Sequence, residues 1–179
     1  VVEKLIKDLD IPEDHKTAWL AWRHEVFADV YAALCLGPAA VLALMSYLVT
    51  DVDRIQKEEL TSAKWGTYPT RFLRVKLNFE LLRQLCLMKP TIEALDALGL
   101  VDGDPEQAWC DTYDFHLMDR FDEDLPKVVR ALRHGPYPSF GNQGLEQVIT
   151  FKRTDVEGAR DRAYDINYGN VLPVGSPLR

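Results

Sequence analysis

Positive charge is in short supply in this chain. Across 179 residues, 21 lysines and arginines stand against 28 aspartates and glutamates, a formal net charge of -7. No basic stripe is available to neutralise phosphates, which excludes a general nucleic-acid binder. Cysteine is scarce as well: Cys35, Cys86 and Cys110 are odd in number, far apart and never in CxxC spacing. No disulfide framework follows, so a reducing cytoplasmic setting is expected. Cys35, inside an apolar run, reads as a small hydrophobe. No Gly-rich phosphate loop is present, because Gly141-Asn142-Gln143-Gly144 lacks the Lys-Ser/Thr pair that such a loop needs. Nor is there an internal repeat. The chain opens Val1-Val2-Glu3 with no visible signal peptide. A start on Val suggests an excised segment or a trimmed numbering, so functional residues upstream of Val1 are allowed for.

What is present is apolar periodicity. With 47% hydrophobic residues, the chain can bury one sizeable core and is most simply a single domain over 1–179. Residues 2–10 read as a short helix ending before Pro12. A second helix begins near Glu13-Asp14 and runs through about Val49, kinked or split at Gly37-Pro38, since proline lacks an N–H and clashes with the preceding turn. Residues 51–60 form a polar helix, and residues 62–70 a loop. Phe72, Val75, Leu77, Phe79, Leu82 and Leu85 then suit an amphipathic helix opened by Pro69. Residues 91–98 form another, closed by Gly99.

Asp104-Pro105 pairs an N-cap with a first-turn proline for a long helix through about Phe121. A helix over 125–134 stops at Gly135-Pro136. Residues 135–144 are turn-rich, 145–150 fit strand or helix, 154–164 are helical and charged, and 170–179 are a Gly/Pro tail. The expected class is all-α: a multi-helix domain around a long, Gly-Pro-kinked, buried central helix. Residues 1–100 carry the functional motifs, and 101–179 form a helical extension with a loop-rich tail.

Val30 to Val49 is twenty residues without a charge, long enough to span a bilayer. Gly37-Pro38 interrupts it and acids rather than lysines and arginines flank it, so a buried helix is the better reading and membrane insertion is not expected. Trp19 and Trp22, three apart, are read as core anchors.

The strongest chemical signal is Trp22-Arg23-His24-Glu25-Val26-Phe27-Ala28-Asp29. Glu25 and Asp29, four apart, share a helix face one turn above the other. Two carboxylates so placed resist burial and need a cation, a shared proton or a metal. A metal set of His24, Asp29 and His116 is an alternative, drawn from Asp111-x-x-Asp114-Phe115-His116-x-x-Asp119. An exposed acidic helix yields the same spacing by chance.

Glu25-x-x-Ala28-Asp29 is followed by Thr67-Tyr68-Pro69-x-x-x-x-Arg74-Val75. This ordered pair resembles the C-terminal half of gluzincin metallopeptidases of the HtpX and CAAX prenyl protease type, over about residues 20–85. In that family an HExxH helix supplies two zinc histidines and a general base, an ExxAD helix the third ligand, and an HP-x4-R-[IV] motif opens the next helix. The resemblance implies that Glu25 is the third zinc ligand and that Asp29 orients a ligand histidine. Tyr68 stands where the family has histidine and would donate to an oxyanion. Arg74 would brace the site or pair bidentately with a carboxylate. No HExxH occurs in this chain, so zinc and peptide hydrolysis are expected only if that helix lies upstream of Val1. The competing expectation is a non-catalytic helical domain on a degenerate scaffold, binding a partner protein. In that case Glu25 and Asp29 face solvent or a basic side chain.

Overall fold

Proline and glycine set several of the helix boundaries. The computed structural model describes residues 1–61, 65–66, 68–97, 99, 103–113 and 116–167. Among these the protein is all-α, with ten α-helices and no strand. The helices are α1 (Val2–Lys7), α2 (Glu13–Leu36), α3 (Pro38–Leu48), α4 (Val52–Thr61), α5 (Arg71–Gln84), α6 (Met88–Ala97), α7 (Pro105–Thr112), α8 (Leu125–His134), α9 (Leu145–Val148) and α10 (Arg153–Asn167). Short 3-10 turns cover His116–Phe121 and Pro138–Phe140. The tail expected over 170–179, and part of the loop expected over 62–70, lie outside the described residues.

The kinked central helix is instead two helices. Gly37 adopts φ 59 and ψ -140, which ends α2, and Pro38 starts α3 at its first turn. That backbone state is open to glycine and strained for other residues. The aromatic ring of Phe151 closes over it, and the Phe151 N–H donates to the Leu34 carbonyl at 2.9 Å. Nor is the charge-free run buried all round. In α3 only Pro38, Val41 and Leu48 are buried, and Tyr47 is 81% exposed. Cys35 is exposed too, not the core hydrophobe its neighbours suggest.

The helix at the centre is α5. It packs against α2, α3, α6, α7 and α8 and buries Phe72, Leu73, Val75, Leu77, Asn78, Phe79, Glu80, Leu81 and Leu82 on nearly every side. Its N-cap is Thr70, whose Oγ1 accepts from the Leu73 N–H at 3.3 Å, so Pro69 stands outside the helix. Arg74 and Lys76 carry their charges off this buried helix into ion pairs while their stems pack. Buried side chains from Ile6 of α1 to Leu145 of α9 form one connected core, with Trp19 and Trp22 fully inside it.

Two other lengths differ from expectation. α1 ends at Lys7 rather than residue 10, and α7 ends at Thr112, with a separate 3-10 turn taking the chain on to Phe121. The α7 start is as the cap chemistry requires: Asp104 accepts from the Glu106 N–H at 2.8 Å, ahead of Pro105. Residues 145–148 resolve as helix. No helix among the described residues is long and apolar enough to cross a membrane.

Candidate functional site

Glu25 and Asp29 lie one turn apart on α2, and their shared face is turned toward the first half of α5. There Arg74 meets them. Its Nε donates to Asp29 Oδ2 at 2.8 Å and its Nη2 to Asp29 Oδ1 at 2.6 Å, a bidentate fork matched to a carboxylate. The same Nη2 lies 3.6 Å from Glu25 Oε2. The Arg74 side chain is 16% exposed, Asp29 8% and Glu25 31%, so the pair is largely desolvated and Glu25 forms its wetter edge. The bonds to Asp29 hold the Arg74 guanidinium above its ordinary pKa against the opposing effect of burial, with Glu25 and Tyr47 adding smaller contributions. One turn on, the Asn78 side-chain amide donates to the Arg74 carbonyl at 2.9 Å.

Three of the four residues singled out from the sequence therefore converge. The fourth, Tyr68, stands largely in solvent and bonds to none of them. His24 is exposed on another side of α2, and the His116 side chain lies outside the described residues. Among the described residues no group of three or more His, Cys, Asp or Glu side chains is arranged to hold a metal ion. What the cluster does chemically is offset charge where burial makes it costly. The guanidinium neutralises Asp29, the more buried acid, and the one negative charge left over falls to Glu25 at the wetter edge.

Two further ionic clusters escape the sequence reading. At the α5–α7 face, Lys76 bonds Asp122 at 2.7 Å and lies 3.4 Å from Asp119. Burial is the largest single influence on Lys76 and lowers its pKa, but the bond to Asp122 and the charges of Asp122 and Asp119 together outweigh it, and the ammonium sits above its usual range. Beside it Arg83 bonds Glu80 at 2.9 Å and also Glu106, whose carboxyl is pushed up by burial. Lys76, Asp122, Glu80, Arg83, Glu106 and Cys110 line a cavity of about 390 Å³. The only advance sign is the three-residue step from Glu80 to Arg83, an ordinary helix-face pair.

The second cluster is deeper. Asp124, 2% exposed, accepts from Trp19 Nε1 at 2.9 Å and pairs with His15 Nδ1 at 2.8 Å. No local pattern links residues more than a hundred positions apart. Set against known proteins, the chain matches no family model, no curated protein and no solved structure.

Proposed function

We propose that this is a non-catalytic helical domain that works through protein contacts rather than by metal-assisted peptide hydrolysis. The observation that carries the reading is the Arg74 fork. Asp29 gives both carboxylate oxygens to Arg74, and Glu25 has the same guanidinium 3.6 Å away. Asp29 is already oriented and charge-compensated by the guanidinium, as a structural anion is, rather than left as a carboxylate awaiting a ligand histidine. A zinc ligand with a guanidinium at its side gains a competitor for its electron pair and a like-charged neighbour for the metal. Both neighbours suit a structural ion pair that ties α2 to α5.

The reading is tested by metal content. The protein in its longest natural form is purified in the presence of zinc, desalted and measured by elemental analysis alongside its intact mass. Zinc far below one per chain, unchanged in Glu25→Gln, is the expected result. About one zinc per chain that is lost in Glu25→Gln overturns the reading and restores Glu25 as a ligand.

A further inference from the structure

Five side-chain charges alternate in sign along one hydrogen-bonded line from α9 to α7. At one end Arg133 of α8 donates from Nη2 to Glu146 Oε2 at 2.6 Å, and from Nη1 to Gln84 Oε1 on α5 at 2.7 Å. The Gln84 amide carries the line on, donating from Nε2 to Glu80 Oε1 at 2.8 Å. The other Glu80 oxygen accepts from Arg83 Nε at 2.9 Å, and Arg83 Nη1 donates to Glu106 on α7. Arg133 and Glu80 are the deepest members, with side chains 7% and 11% exposed, while Glu146 at 28% is within reach of solvent.

Three acids thus serve two cations, and Glu80 is bonded into both halves of the line. Arg133 has little slack. Its Nε is buried without a hydrogen-bond partner among the described residues, and a guanidinium this desolvated requires a carboxylate close by. With Glu146 gone, the next acid along the line is Glu80, one amide away. Arg133 then draws on Glu80 through Gln84, in competition with Arg83. The Nε bond to Glu80 fixes the plane of the Arg83 guanidinium while Nη1 holds Glu106, so weakening the first bond loosens the ion pair that reaches α7.

We propose that this line is a relay through which the charge of Glu146, at the edge of the molecule, sets how tightly α7 closes the cavity against α5. Glu25, Asp29 and Arg74 do not belong to it, so the relay stands whichever way that site is read. Other anchors also hold α7: Trp109 is buried, and the Tyr113 hydroxyl donates to the Thr50 carbonyl at 2.9 Å. The relay therefore shifts a local opening equilibrium and leaves the fold in place.

Cys110, on α7 and lining the cavity, reports that opening through its rate of reaction with a maleimide, in a chain whose exposed Cys35 and Cys86 are replaced by serine. Glu146→Gln keeps the size and removes the charge. It is expected to speed labelling about fivefold at constant pH, the lower end of couplings between separate sites. In a Glu80→Gln background the same change is expected to add nothing, because the junction is already cut. Lys127→Ala, on α8 but outside the line, should label as the parent does. Equal rates for Glu146→Gln and the parent overturn the proposal. So does the same acceleration with Glu80→Gln present, or one produced by Lys127→Ala. Coupling between two sites is reciprocal, which supplies a second measurement should Glu146→Gln fold poorly. Glu106→Gln is then expected to speed amide exchange at Ile149, whose N–H donates to the Leu145 carbonyl at 2.8 Å at the end of α9, by a similar factor. Unchanged exchange there overturns the relay.

Discussion

Arg74 reaches 45 residues back along the chain and takes both oxygens of Asp29, at 2.8 and 2.6 Å. With both side chains mostly buried, removing one partner strands the other. Arg74→Ala leaves the Asp29 carboxylate desolvated and is expected to cost about 3 kcal/mol, the range for breaking a buried ion pair. Removing both charges is different: Asp29→Leu combined with Arg74→Met keeps the volume apolar and is expected to recover most of that loss. Urea denaturation of the two single variants and the double measures the coupling. A double variant as unstable as the sum of the singles would remove the stranded charge as the cause.

That pair marks the boundary of what the sequence makes legible. The stacking of Glu25 over Asp29 needs only the helical period, and the α7 start needs only Asp104-Pro105, both of which the structure contains. Arg74 as a carboxylate's partner comes from a resemblance of motifs, because periodicity says nothing about contacts 45 residues apart. The burial of α5 is masked by Arg71, Arg74, Lys76, Glu80 and Arg83, which make a central helix look half-solvated. Long stems let such residues line a core while their heads find partners outside it. The exposure of α3 is masked for the opposite reason. Hydropathy reports what a side chain prefers, and whether a neighbouring helix covers it is decided by tertiary packing.

Gly37 and Gly141 differ in both backbone strain and steric room, Gly37 at ψ -140 and Gly141 at ψ 32 in the left-handed helical region. Both have positive φ, 59 and 65, but a Cβ on Gly37 would lie 2.2 Å from the Phe151 ring while a Cβ on Gly141 meets nothing within 4 Å. Gly141→Ala is expected to cost only the left-handed backbone penalty, about 1 kcal/mol. Gly37→Ala must also displace Phe151 and is expected to cost about 3 kcal/mol or more. Thermal and urea unfolding of the two variants checks the difference, and equal losses would mean the ring moves freely. Phe151→Ala combined with Gly37→Ala should then lose less than the sum of the two single changes, because the clash is gone.

Asp124 holds two donors in the core, and its removal orphans both. Trp19 Nε1–H and the His15 ring nitrogen have Asp124 Oδ2 as their hydrogen-bond partner. Asp124→Ala leaves a buried indole N–H unsatisfied and opens a void beside Phe121, which packs against both rings. A loss of about 3 kcal/mol is expected. Asp124→Asn keeps an acceptor oxygen and should retain over half of that stability. Guanidinium unfolding followed by tryptophan fluorescence reads both, because Trp19 itself sits in the altered contact. Indistinguishable Asn and Ala variants would show that charge, rather than the acceptor, is what Trp19 and His15 require.

The alkaline limb of stability has an identifiable source in Tyr137. Its phenol is buried, donates to the Leu132 carbonyl at 2.9 Å, and is pushed up by burial from an ordinary 10 to about 12. The folded state therefore keeps this proton in a range where the unfolded chain releases it. The contribution is complete below pH 10 and is lost as pH rises through 12, with a slope near 1.4 kcal/mol per pH unit, a few kcal/mol in all. Lys76, also raised, loses stability in the same direction with rising pH. The diagnostic is accordingly a difference between two proteins. Tyr137→Phe should be about 1 kcal/mol less stable than wild type at pH 7, having lost one hydrogen bond. It should then fall less steeply above pH 10, so that the two stability curves converge and cross before pH 12. Parallel curves across that range would mean that the Tyr137 phenol ionises as easily in the folded protein as in the unfolded chain.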